Sequence, residues 1–265
     1  MPQPPDTDRE FPWWLVLLAG LGAAMLAVFL SDTVYTQVLR TLMKGVGVTL
    51  FVTAVAFAMA SSLGLLLALA ATSRLLAVRQ AARFYVEVIR GVPIIVLLLY
   101  VAFVLAPMLV AAWNWATAPL GLAPLLTRDV SLLWRAIIAL TIAYSAFLSE
   151  VFRAGLQSVE RGQIEAAEAL GLGRWLRFRL VVMPQAFRTI LPPLGNDFVA
   201  MVKDSSLVSV LGVTDITQLG KVSAAANFRY LETYNVVALI YLAMTVTLSL
   251  MLRRLEAHLR RRGAP

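Results

Sequence analysis

The sequence predicts an all-α integral membrane protein with about six transmembrane helices, and three observations carry that class. Of its 265 residues, 60% are hydrophobic and only 14% are charged, with a mean hydropathy of +0.80. Soluble domains average about 45–50% apolar and about 25% charged residues, so a soluble fold of this size could not bury the excess. The apolar residues also come in runs of about the 20 residues that a helix needs to cross a bilayer. Third, the cations collect between those runs. The length suits one domain with short connections.

Taken in order, the first run, residues 13–30, opens on Trp13 and Trp14, whose rings suit a membrane interface. Segment 31–44 reads as a short amphipathic helix leading into the second run, 45–72. Residues 92–112 and 131–152 give the third and fourth. Between them, segment 113–130 carries Trp113, Trp115, Pro119 and Pro124 and reads as an outside loop. Residues 186–212 are apolar but interrupted, and 234–252 are clean. Each run must be helical, because lipid offers backbone amides no partner. No internal repeat is visible. Small residues crowd the second run, among them Gly45, Gly47, Ala54, Ala56, Ala58, Ala60, Ser61, Ser62 and Gly64. They allow close helix packing, either within the chain or across a dimer.

Segments 73–91, 153–188 and 253–265 hold four, six and five Lys or Arg, fifteen of the 23 in the chain. The rule that cations stay on the cytoplasmic side places these three segments inside the cell, with both termini inside. The N-terminal tail carries Asp6, Asp8 and Glu10 against Arg9, so it lacks the positive start of a signal peptide, and the first run reads as a mature span.

Several chemistries are set aside. There is no cysteine, and the one histidine, His258, lies in the basic tail, so no metal, thiolate or cofactor site is expected. The net charge of +8 is spread over loops rather than a face, which does not suit nucleic acid. No G-x-x-x-x-G-K-[ST] phosphate loop is present, and neither are H-E-x-x-H or G-x-S-x-G.

The most informative stretch is the basic loop from Arg153 to Pro184. Residues 163–170 are strong helix formers, and Gly171 and Gly173 stop that helix. A second short helix, about residues 174–182, is expected to end before Pro184. In sequence the loop carries Glu165-Ala166-Ala167, three residues, Gly171, nine residues, then Val181, a spacer, Met183 and Pro184. This resembles the cytoplasmic Glu-Ala-Ala signature of ABC-importer permeases, with Val for Ile and Met for Leu. Further stretches resemble the polar amino-acid branch of that family. These are residues 89–96 (Ile-Arg-Gly-Val-Pro-Ile-Ile-Val), 146–153 (Ala-Phe-Leu-Ser-Glu-Val-Phe-Arg), 192–196 (Pro-Pro-Leu-Gly-Asn) and 203–210 (Lys-Asp-Ser-Ser-Leu-Val-Ser-Val). Val92 stands where that branch usually has Thr, Leu97 where it has Gln, and Phe147 where it has Tyr, each a polar group fewer.

The resemblance implies a five-span type I importer core over residues 44–256, preceded by an extra helix within 1–43 and followed by a basic tail, 257–265. It implies a non-enzymatic permease subunit of the bacterial inner membrane that moves amino acids, polar or charged, by alternating access. A different small solute is the alternative. The implied partners are two ATP-binding cassette subunits, a second permease copy or a paralogue, and an extracytoplasmic solute-binding protein. Loop 153–184 would be the coupling helix, with Glu165, Ala166, Ala167, Gly171 and Pro184 meeting the ATPase, and both alanines facing its groove.

Ionisable residues inside the runs are the other candidates. Lys203 and Asp204 fall near the middle of 186–212, where each charge costs at least about 2.5–3.5 kcal/mol unless it faces protein or water. With Ser205, Ser206 and Ser209 they line the transport path or pin the helix to a neighbour. Glu150, preceded by Tyr144, Ser145 and Ser149, either receives a substrate ammonium group or pairs with Arg153 at i,i+3. Asn196 and Asp197 are further pathway candidates.

Overall fold

The computed structural model describes residues 13–261, and these are helical with short connections. The acidic head, 1–12, and the last residues of the basic tail, 262–265, lie outside the described residues. The helices are α1 (Trp13–Ser31), α2 (Thr33–Ala71), α3 (Leu76–Gly91), α4 (Ile94–Tyr100), α5 (Ala106–Thr117), α6 (Leu132–Gln157), α7 (Arg161–Ala169), α8 (Arg174–Arg177), α9 (Met183–Asp204), α10 (Ile216–Asn227) and α11 (Tyr230–Arg261). By length and composition α2, the α4–α5 rod, α6 and α11 can each cross a membrane. With α1 and α9 they make six long helices, the all-α membrane class that the apolar runs predict.

α6 is the central element. It packs against α2, α3, α4 and α9, and Ala136, Ile137, Leu140, Ala143 and Leu148 are fully or almost fully enclosed. α2 reaches it through Gly64, where a Cβ would come within 3.0 Å of the Ser145 carbonyl and of the Leu148 Cβ. A second core joins α2, α10 and α11 around Leu42, Ile216 and Val236. Here Gly45 lets the α2 backbone press on the 215–216 peptide, and an added Cβ would lie 2.6 Å from the Ile216 nitrogen. These two glycines therefore serve packing within the chain.

Segment 31–44 is not a separate short helix. It is the first third of α2, a single 39-residue helix that starts at Thr33 and is capped by Asp32, whose side chain accepts from the Val34 amide at 2.7 Å. No proline interrupts this stretch. The division at 43/44 therefore falls inside a continuous helix, and the chain breaks at Ser31–Asp32 instead. Segments 73–91 and 214–232 are likewise mostly helix, as α3 and α10.

The expectation that a helix ends before Pro184 is corrected too. α8 runs through a π-helical turn, Phe178–Val182, straight into α9, and Pro184 stands in the first turn of α9. The α4–α5 rod does the same at Val101–Leu105, two residues before Pro107. In both, the residue before the proline donates five residues back, Ala106 to Val101 and Met183 to Phe178. Proline has no N–H to close the next α-turn, so the chain widens by one residue instead of stopping.

Candidate functional site: a coupling corner and a charged cavity

The loop leaving α6 folds as a compact corner. α7 ends at Ala169 with Leu170 as its cap, and Gly171 takes φ 76. Its amide donates to the Glu168 carbonyl at 2.9 Å, and that of Leu172 to the Ala167 carbonyl at 3.1 Å. These are the two bonds of a Schellman cap, which needs a left-handed residue at that point. Glu168 is ion-paired with Arg177 across the corner. Glu165 and Ala166 are exposed, whereas Ala167 is only 4% exposed. The expectation that both alanines face a partner is thus corrected. Ala167 is covered by its own chain, and the open face of α7 is formed by Glu165 and Ala166.

A cavity of about 390 Å³ opens between α2, α3 and α6, lined by Arg83, Glu87, Ser149, Glu150, Arg153 and Gln157 together with Ala68, Ala71 and Val86. Glu150 is paired with Arg153 through both guanidinium arms, one of them at 3.2 Å. Arg153 also donates to Gln157 at 3.1 Å. Of the two readings of Glu150, the i,i+3 pair is therefore formed, and it is formed on the cavity wall. Ser149 is buried, and its hydroxyl returns to the Ala146 carbonyl at 2.8 Å. Tyr85 fastens α3 to α6 by bonds to the Ile142 carbonyl (3.1 Å) and the Ser145 hydroxyl (2.9 Å). The Arg90 guanidinium lies 5.8 Å from the centre of the Phe147 ring, at the position where the related branch carries Tyr.

The candidates on α9 do not join Glu150. Lys203 and Asp204 stand where α9 ends and the chain tightens into a 3₁₀ stretch, Ser205–Leu211, closed by Gly212 at φ 79. They are therefore not in mid-helix. Adjacent residues diverge: Asp204 accepts from the Tyr144 hydroxyl of α6 at 2.7 Å, whereas Lys203 lines a separate 270 Å³ cavity against α11 with Ser249 and Arg253. Ser205 is buried on the Val202 carbonyl at 2.7 Å, Ser206 is half-buried and Asn196 is exposed.

One residue escaped sequence reasoning. Arg135, near the start of α6, is 7% exposed and donates to the Val130 carbonyl (2.9 Å), the Ala102 carbonyl (3.1 Å) and the Thr127 carbonyl. With the Ala106 amide spent on Val101 and residue 107 a proline, the Ala102 carbonyl is left to this guanidinium. The available signal was a cation just inside an apolar run, followed upstream by a proline.

A bundle of membrane-length helices with a cavity between them and a capped corner on its basic loop defines the class of a multi-pass membrane permease. The chain belongs to the family of binding-protein-dependent transport system inner membrane components, whose profile matches residues 60–263. It is thus an ABC-importer permease subunit, multi-pass in the cytoplasmic membrane. It is 36% identical over 221 residues to the glutamine transport system permease protein GlnP of Escherichia coli K12, covering 83% of this chain and 93% of that one. The arginine transport system permease protein ArtQ of Bacillus subtilis is 30% identical over 219 residues, covering 83% and 92%. A crystal structure of an amino acid ABC transporter with histidines superposes with a TM-score of 0.71 at 34% identity, over 87% of this chain and 98% of that one.

Proposed function

We propose that this chain carries polar or charged amino acids through the membrane by alternating access, driven by ATP hydrolysed on two separate cassette subunits and supplied by an extracytoplasmic solute-binding protein. A second permease, a copy or a paralogue, completes the pore. The observation that carries the reading is the capped corner at residues 165–177. It is a rigid element outside the spanning bundle, with Glu165 and Ala166 open to a partner. The amino-acid class is supported by what the relatives GlnP and ArtQ are named for.

In this reading the α2–α3–α6 cavity is the cytoplasmic part of the path. Its lining offers carboxylates (Glu87, Glu150) and guanidiniums (Arg83, Arg153), complementary to an ammonium and a carboxylate on one small molecule. A substrate ammonium group reaches Glu150 by displacing Arg153. On α9, Asn196, Lys203, Asp204, Ser205 and Ser206 belong to the wall between the path and neighbouring helices. A different small solute is the second reading, favoured by Leu97 and Phe147, which remove polar groups that the related branch carries.

The test is reconstitution with the cassette subunits. Permease alone should hydrolyse no ATP, and the complex should hydrolyse it faster with a loaded binding protein. Glu150→Gln should lower uptake at least tenfold while assembly and basal ATPase persist. Normal uptake by that variant would remove Glu150 from the path. Uptake by the permease alone on an ion gradient would overturn the whole reading.

A further inference from the structure

Four described residues adopt left-handed backbone conformations. Three are glycines, Gly121, Gly171 and Gly212; the fourth is Phe228, at φ 58. It closes α10 and stands in the two-residue turn before α11. A left-handed helix end is normally given to glycine, or else to asparagine, because a Cβ is strained there. The Phe228 ring gains nothing from its own chain in return, since the residue is 81% exposed. Residues 225–231 around it are all exposed.

The turn is held by its own bonds: the Arg229 amide donates to Asn227 Oδ1 at 3.0 Å, the Thr233 amide donates to the Arg229 carbonyl at 3.2 Å, and Arg229 pairs with Glu232 at 3.6 Å. The other end of α10 is anchored in the bundle: Asp215, fully buried, caps it through the Gln218 amide at 2.8 Å and accepts from the Tyr241 hydroxyl of α11 at 3.2 Å. Thr217 bonds the same hydroxyl at 3.0 Å, and the Ile216 amide donates to Thr49 of α2 at 3.4 Å. Gly220 packs so closely that a Cβ would lie 2.8 Å from Val237. A strained, exposed aromatic ring on a fixed mount is a preorganised contact.

We propose that Phe228, with Arg229 and Tyr230 beside it, is a docking knob for the soluble solute-binding protein that meets the permease from outside. This rests on the proposed function and adds the surface that the partner uses. The corner belongs to segment 214–232, which the cation distribution places outside, so cytoplasmic ATPase subunits do not reach it. Lipid is fluid and accepts a ring in any direction, so it gives no return for a fixed, strained backbone. A lasting interface with a second permease copy would be an apolar seam. Here the ring is flanked by Asn227, Arg229 and Tyr230, the aromatic and arginine mixture with a polar rim that transient interfaces favour.

The chain has no cysteine, so Phe228→Cys gives a single attachment point. A thiol-reactive photocrosslinker placed there in the reconstituted complex should yield a permease–binding-protein adduct. The binding protein used is one whose loaded form stimulates the wild-type ATPase. Adducts only with a second permease, or only with lipid, overturn the proposal. In parallel, Phe228→Gly should leave thermal stability equal or higher and basal ATPase unchanged, while raising the binding-protein concentration for half-maximal stimulation about tenfold. An unchanged concentration dependence also overturns it. If no binding protein stimulates the wild-type complex, the importer reading itself fails, which is a separate result.

Discussion

At Gly171 a Cβ would meet open space, so the objection to a side chain there is conformational rather than steric. Gly171→Val should cost about 1–2 kcal/mol at φ 76, since a β-branched residue resists the left-handed region. Gly171→Asn should cost less, because its short polar side chain tolerates that conformation. Cassette-stimulated ATPase and uptake should fall in the order Gly, Asn, Val, with the spanning bundle intact by thermal unfolding. Equal uptake for all three would mean that the corner does not couple. This glycine was legible in the sequence because helix formers stop at it and the Schellman bonds are local. The burial of Ala167 was not. It depends on the chain folding back over α7, and nothing within 163–170 reports that. Arg135 was hidden for the same reason, as its three acceptors lie 5, 8 and 33 residues away.

Helices and their interruptions make up the next scale. Pro184 was read as a stop, and there, as at Pro107, the chain shows another outcome: a turn one residue wider, with the helix continuing. Pro184→Ala restores an N–H, so the π turn can close to α. That would rotate α8 and the corner by about 100° relative to α9, the angle between successive helical residues. The helix itself should gain stability, because a proline inside a helix costs about 3 kcal/mol or more. A higher unfolding temperature with uptake reduced at least tenfold is the expected pair of results. Normal uptake would show that coupling does not depend on that register. Composition predicted the long spanning helices, because apolar runs and lipid leave few choices, but not α3 and α10, which lie between those runs. It could not separate α2 from a shorter span, because residues 33–44 continue the helix without any breaking residue.

For the molecule as a whole, α1 packs against α2, and the family match begins only at residue 60. We propose that α1 is an addition to the transporting core. Deleting residues 1–31 should leave cassette binding and binding-protein-stimulated ATPase within about twofold of the full chain, measured in the same vesicles. Loss of assembly would place α1 in the core. The membrane class and the glycine-capped corner after α7 were readable from one sequence, since each depends on pattern along the chain. The cavity was not, since Arg83 and Glu87 of α3 meet Glu150 and Arg153 of α6 only through the crossing of two helices.

α2 has a mechanical consequence. At 1.5 Å per residue its 39 residues form a rod about 58 Å long, well beyond the ~30 Å hydrocarbon layer. The rod has two seats, Gly45 against the cap of α10 and Gly64 against the cavity wall of α6. They lie 19 residues apart, about 28 Å along the axis. A stiff beam seated at two points moves as one body. Tilting it by about 10° shifts the bearings in opposite directions by about 2–3 Å each, given that spacing. Closing the cytoplasmic side and loosening the outer corner would then be one movement rather than two coordinated ones.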